Sequence, residues 1–150
     1  MKKGNWLRNL VLCFVVGLFA VSFSVIPQSA IAGGGLTKAD FLKEAKVFVE
    51  SVSPKDAHAL MSKGYSVLDV RTKKEFKKGH IPGAKWLGRG LLEFKIANVF
   101  PEKDAKILVY CKSGGRATLS TYTLMKMGYT NVKNIAGGWK AWVKAGLPTE

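Results

Sequence analysis

The sequence predicts an α/β domain built around a largely parallel sheet. Short β-rich apolar runs stand at residues 65–70 (YSVLDV) and 106–110 (KILVY), and segments of helical period lie between and around them. Neither an internal repeat nor a low-complexity tract interrupts the alternation, which is the pattern of strands joined by crossover helices. After Lys106, KILVY runs apolar from Ile107 to Tyr110, as expected of a strand buried on both faces.

Taken in order, residues 38–52 place apolar side chains at 41, 42, 45, 48, 49 and 52, which predicts a first helix. Ser53-Pro54-Lys55-Asp56 supplies an N-cap, a proline at the first helical position and an acid in the first turn, so a second helix runs from there to near Gly64. After the strand at 65–70, residues 72–78 hold a helical turn and 79–84 form a turn-rich connection with a short extended piece. A helical pattern from Gly90 stops at Pro101. Beyond KILVY, a helix starts near Arg116 and ends at Gly128, a last strand covers 132–135, and Gly137-Gly138 leads into a helix carrying Trp139, Trp142 and Val143.

The N-terminus reads differently. Lys2, Lys3 and Arg8 precede an apolar run from Leu10 to Ile26, and Pro27-Gln28-Ser29-Ala30-Ile31-Ala32 ends in an A-x-A pattern, so residues 1–32 are expected to be a cleaved signal peptide of an exported, periplasmic-type protein. The competing reading is an uncleaved membrane anchor, and association with a membrane is expected only in that case. Residues 33–52 then form a leader and first helix, and 53–150 the domain proper. Cleavage removes three of the 24 Lys and Arg residues and leaves all 10 Asp and Glu, so the mature chain stays strongly basic. That balance favours small anions or anionic surfaces; no nucleic-acid-binding motif accompanies it.

Of the two cysteines, Cys13 lies in the signal and Cys111 would stand alone, without a partner for an internal disulfide. Its place is informative. In open α/β sheets ligands gather at the carboxyl ends of strands, and Cys111 follows KILVY directly. Lys112-Ser113-Gly114-Gly115-Arg116 then lets the backbone curl so that N–H groups turn inward, and the following helix start adds positive potential that stabilises negative charge on the sulfur. On spacing alone this describes equally a nucleophilic cysteine and a tight strand-to-helix turn with a core cysteine. At a second strand end, Asp69 and Arg71 fall on one face. There Arg71 could meet an anionic substrate while Asp69 braces the loop, or Arg71 could form a surface ion pair with Glu75.

Several segments together resemble the rhodanese-like sulfurtransferases: Val67-Leu68-Asp69-Val70-Arg71, Glu75-Phe76, Gly79-His80-Ile81-Pro82-Gly83-Ala84, Tyr110 to Ala117, and Gly137-Gly138-Trp139 with Trp142 and Gly146-Leu147-Pro148. The resemblance covers 53–148. It implies a three-layer α/β domain with a mostly parallel five-stranded sheet between helices. It also implies an enzyme in which Cys111 takes sulfane sulfur from thiosulfate or polysulfide, carries it as a persulfide and passes it to cyanide or a thiol. The persulfide serves in place of any separate cofactor. The six-residue loop from Cys111 to Arg116 suits sulfur, whereas the related phosphatases and arsenate reductases carry one residue more.

Residues 41–57 and Gly88-Arg89-Gly90-Leu91-Leu92-Glu93 extend the resemblance to exported polysulfide-sulfur transferases. This implies Arg71, Arg89, Lys112 and Arg116 as anion binders, with the backbone of Ser113, Gly114 and Gly115, and pairing of the chain as a homodimer. The intact GHIPGA turn and the Gly114-Gly115 pair depart from that subgroup. An alternative of another class is a periplasmic carrier that holds persulfide sulfur for a respiratory partner. Asp69, Glu75 and His80 are expected to be supporting residues, His80 as a hydrogen-bonding group of its turn and not as a base. Two widely separated histidines and one cysteine give no metal-ligand pattern, so no metal is expected.

Overall fold

The computed structural model describes residues 35–150. The signal segment, Cys13 and the start of the glycine leader lie outside the described residues. Among the described residues six α-helices and five strands alternate as α1 (Lys38–Phe48), β1 (Ser51–Val52), α2 (Pro54–Met61), β2 (Ser66–Asp69), α3 (Lys73–Lys77), β3 (Lys85–Trp86), α4 (Leu92–Val99), β4 (Ile107–Tyr110), α5 (Gly115–Lys126), β5 (Val132–Ile135) and α6 (Gly138–Lys144). The sheet order is β1-β5-β4-β2-β3, and every ladder is parallel.

Local chemistry fixes the boundaries. Thr37 and Asp40 form a capping box at α1, Ser53 caps α2 with Pro54 at its first position, and Thr72 and Glu75 form a second capping box at α3. A 3₁₀ turn at Arg89–Leu91 leads into α4, which stops before Pro101.

Two expectations need correction. The helical period to Val52 overruns the helix, which ends at Phe48. Val49 is extended, and Ser51–Val52 pairs with Asn134 and Ile135 as the edge strand. Apolar residues at 49 and 52 thus satisfy a helical spacing while serving a sheet edge, and Pro54 biases Ser53 away from helical geometry. The extended piece placed at 79–84 lies at Lys85–Trp86, where it pairs with Leu68 and Asp69. Because β1 completes the sheet and α1 packs on α5, with Phe48 stacked on Tyr122 at 5.4 Å, structure before residue 53 is continuous with the domain.

Alternation along the strands divides the core between two faces. Leu68, Ile107, Val109 and Cys111 pack with Leu92, Ile96 and Leu124 of α4 and α5. Val67, Leu108 and Tyr110 pack with Ala57 of α2 and Trp142 of α6. The result is helices on both faces of one sheet. The chain leaves β2 toward β3 and leaves β4 toward β5, so the adjacent strands β2 and β4 diverge in their connections. Their carboxyl ends flank the topological switch point where such sheets bind ligands. Asp69 lies opposite Tyr110 in register, which brings Asp69–Arg71 beside Cys111.

Candidate active site

Cys111 sits directly after β4 and is 1 % exposed. Its Sγ accepts the N–H of Gly114 at 3.2 Å and of Ala117 at 3.4 Å. Gly114 reaches this geometry at φ 100°, a left-handed conformation open to glycine and strained for other residues. α5 begins at Gly115, so the positive end of its backbone dipole is directed at the sulfur.

The loop carbonyls are held from the other side. The N–H of Trp139 donates to the Cys111 carbonyl at 2.7 Å and that of Lys140 to the Lys112 carbonyl at 3.1 Å. With both oxygens turned toward α6, the loop presents N–H groups to the sulfur. The close approach depends on Gly138: at φ 56°, a Cβ there would lie 2.2 Å from the Cys111 carbonyl oxygen. The sequence marked Gly137-Gly138 as a helix entry, but the backbone contact they permit joins segments too far apart in sequence for local patterns to reveal it.

Arg71 lines the clefts beside the loop and is also held from within. It is 3 % exposed, its Nε and Nη2 donate to the Asp69 carboxylate at 2.6–3.0 Å, and Nη2 also donates to the Gly79 carbonyl at 2.8 Å and the Tyr110 hydroxyl at 3.3 Å. The guanidinium also lies over the rings of Tyr110 and Trp139, 5.1 and 4.7 Å from their centroids. This is a buried brace joining the ends of β2 and β4 to the 79–84 turn. The Tyr110 hydroxyl, which also accepts the Ile81 N–H at 3.3 Å, was not singled out from sequence because Tyr110 read only as the last residue of an apolar strand. Burial and the adjacent Asp69 charge push its phenol well above the ordinary tyrosine range.

Glu75 pairs with Arg116, the last residue of the loop, at 3.1 Å, and not with Arg71. Hydrogen bonds from Arg116, and from the Thr72 backbone and hydroxyl, hold its carboxyl down at about 2 against the opposing effect of burial. The Arg116 guanidinium is raised by the same pair, with a smaller contribution from Cys111. Arg89 donates to Glu93 at 2.7 Å and to the Thr123 hydroxyl at 3.3 Å. His80 is a turn residue: its Nδ1 lies 3.1 Å from the Phe76 carbonyl and its Nε2 3.0 Å from the Glu150 carboxylate.

Two basic clefts border the loop. One, of about 260 Å³, is lined by Arg71, Glu75, Lys78, Gly79, Lys112 and Trp139. The other, of about 250 Å³, includes Arg89 and Arg116 with Thr72, Trp86 and Gly88. Glu75 lines the first and Arg116 the second, so their ion pair stands between the two. The fold therefore gathers Cys111, its loop, Arg71, Arg89, Arg116 and Lys112 at one strand end, with Asp69 beneath as support. A sulfur held by two N–H groups in this setting can bear negative charge and act as a nucleophile.

Comparison with known proteins gives the family of the chain. Residues 53–145 match the rhodanese-like domain family. Thiosulfate sulfurtransferase 16, chloroplastic, of Arabidopsis thaliana is 42 % identical over 112 residues, covering 67 % of this chain and 92 % of that protein. The solution structure of the polysulfide-sulfur transferase homodimer of Wolinella succinogenes is 32 % identical with a TM-score of 0.64, over 73 % of this chain and 83 % of that one. A Rhodopseudomonas palustris protein of unknown function, a possible tyrosine phosphatase, superposes with a TM-score of 0.70 at 34 % identity, over 79 % of this chain and all of that one. With the parallel sheet, the loop at the end of β4 and a family match over most of its length, the chain belongs to the rhodanese-like domain family, among relatives that are sulfurtransferases.

Proposed function

We propose that the protein is a sulfurtransferase that works by double displacement through Cys111. The Cys111 thiolate attacks the sulfane sulfur of thiosulfate. A new S–S bond forms as the S–S bond of thiosulfate breaks, and sulfite departs with the electron pair. An acceptor nucleophile, cyanide or a thiolate, then attacks the outer sulfur of the persulfide and releases the Cys111 thiolate. Polysulfide serves as donor by the same exchange, with a shortened polysulfide as leaving group. The observation that carries this reading is the Cys111 Sγ receiving the N–H groups of Gly114 and Ala117 at the start of α5. These donors stabilise negative charge on sulfur, whether on the free thiolate or on the thiolate that leaves in the second step. Arg89, Arg116 and Lys112 supply the positive potential that draws a dianion to the loop.

In this reading Asp69 positions the loop, Arg71 acts chiefly as the brace that holds it while also lining both basic clefts, and no cofactor other than the transferred sulfur takes part. The N-terminal segment directs export, placing the reaction in the periplasm or an equivalent compartment. Likeness to a homodimeric polysulfide-sulfur transferase and the exposed Phe41, Val47 and Phe48 on α1 support pairing of two chains.

Intact mass of the purified protein before and after thiosulfate or polysulfide tests the chemistry. A gain of one or more sulfur atoms, removed by cyanide and absent in Cys111→Ser, is expected. A folded protein whose thiol alkylates readily yet gains no sulfur from either donor would overturn the reading.

A further inference from the structure

Lysines gather at the first basic cleft without matching acids. Lys78, at the end of α3, and Lys112, the residue after Cys111, line it. Lys74 precedes Lys78 by one helical turn on the same face of α3. The backbone of Lys140 lies against that of Lys112, its N–H on the Lys112 carbonyl. All four lysines are exposed, and among the described residues none of them takes part in a salt bridge. The acids of this neighbourhood are engaged: Glu75 by Arg116, and Glu150 by His80 and by the Gly83 N–H at 3.1 Å. Elsewhere the signs are mixed, since Lys103 stands between Glu102 and Asp104, and Lys133 pairs with Glu50. Lys74 and Lys140 lie outside the lining of the cleft, so a small dianion held within it leaves both without a counter-charge.

Resting on the sulfur transfer set out above, we propose that the acceptor is a cysteine on an acidic, exposed segment of a partner protein. Its side chain enters the cleft, and carboxylates on either side of it in sequence lie over the lysines at the rim. A cleft of about 260 Å³ holds a side chain and not a folded surface, and Cys111 is 1 % exposed, so the thiol has to arrive on a segment narrow enough to reach in. The acceptor thiol loses its proton to water, and its thiolate attacks the outer sulfur of the Cys111 persulfide. An S–S bond forms on the acceptor, the S–S bond to Cys111 breaks, and the Cys111 thiolate leaves with the electron pair. The exchange needs no oxidant or reductant. An anionic membrane would meet the same lysines, but a bilayer surface places no thiol in the cleft.

The test uses the full chain loaded with sulfur from thiosulfate and two synthetic peptides of equal length, each with one cysteine, flanked by Asp and Glu in one and by Asn and Gln in the other. Loss of the persulfide is followed by intact mass, and each peptide's rate is divided by its rate with a neutral disulfide to correct for thiol reactivity. The acidic peptide should react at least about fivefold faster at low salt, with the preference shrinking toward parity as salt is added. The double variant Lys74→Glu with Lys140→Glu changes exposed residues outside the cleft lining, so it should load sulfur as the wild type does and lose at least about threefold of the preference. A loaded chain that treats the two peptides alike, or a preference that the double variant leaves intact, would overturn this acceptor and leave sulfur transfer standing. A chain that takes up no sulfur would overturn both. Sedimentation with phosphatidylglycerol vesicles that the double variant abolishes, with no preference between peptides, would assign the lysines to a membrane instead.

Discussion

Glu75 and Arg116 face each other at 3.1 Å between the two basic clefts, so the loop's terminal cation is already engaged by a carboxylate. An anion that binds Arg116 competes with that carboxylate. Glu75→Gln keeps the shape and removes the charge, freeing the guanidinium. KM for thiosulfate should fall by about two- to fivefold, the scale of a partly exposed charge-assisted pair, with kcat little changed. Steady-state kinetics at constant ionic strength would show it. A rise in KM would mean that Glu75 chiefly orients Arg116.

The same carboxyl has a signature in acid. Its folded value of about 2 lies below the ordinary 4.5, so the folded state holds the ionised form more strongly than the unfolded chain does. The stabilisation is present in full above about pH 4.5 and is lost as pH falls through about 2. Stability measured by denaturant titration across that window should therefore fall more steeply in the wild type than in Glu75→Gln. Parallel curves would exclude the ion pair as a source of acid sensitivity.

Gly138 is predicted to be a positioning residue for the loop. A methyl group there would meet the Cys111 carbonyl at 2.2 Å and the Gly114 nitrogen at 3.1 Å, so either α6 or the loop must move. Gly146 offers a control, since it too has positive φ, at 67°, but a Cβ there meets nothing within 4 Å. Gly146→Ala should cost about 1–3 kcal/mol of stability through backbone strain and leave kcat near wild type. Gly138→Ala should lose at least about tenfold in kcat, because displaced N–H groups no longer aim at the sulfur. Measuring denaturation and turnover on both variants separates loop geometry from simple destabilisation.

The sheet, the order of most elements and the loop cysteine could be read from sequence because each rests on local signals: KILVY for a buried strand, Ser53-Pro54 for a helix start, and a cysteine followed by glycines at a strand end. What escaped was non-local. Ser51–Val52 continues a helical spacing, and only pairing with β5 makes it a strand. The charge of Arg71 at a strand end is visible in sequence, but its burial is not. Its partners Asp69, Gly79 and Tyr110 converge only once β2 and β4 are adjacent.

The buried pair of Arg71 and Asp69 gives the sharpest separation of support from substrate binding. Both side chains are almost wholly enclosed, and removing one partner leaves the other charge buried without compensation. Arg71→Met should therefore destabilise the fold by about 3–5 kcal/mol, and adding Asp69→Asn should recover a substantial part of that loss. Tyr110→Phe removes one acceptor shared by Arg71 and the Ile81 N–H and should cost about 1 kcal/mol. Arg89→Ala, by contrast, removes a partly exposed cation from the cleft it shares with Arg116 and should leave stability within about 0.5 kcal/mol of wild type. Its effect should appear as a rise in KM for thiosulfate of about fivefold or more that shrinks as salt is added, because screening weakens exposed charges most. If Arg71→Met instead folded with normal stability and showed the salt-sensitive rise in KM, Arg71 would belong to the substrate site and the brace would be of little consequence.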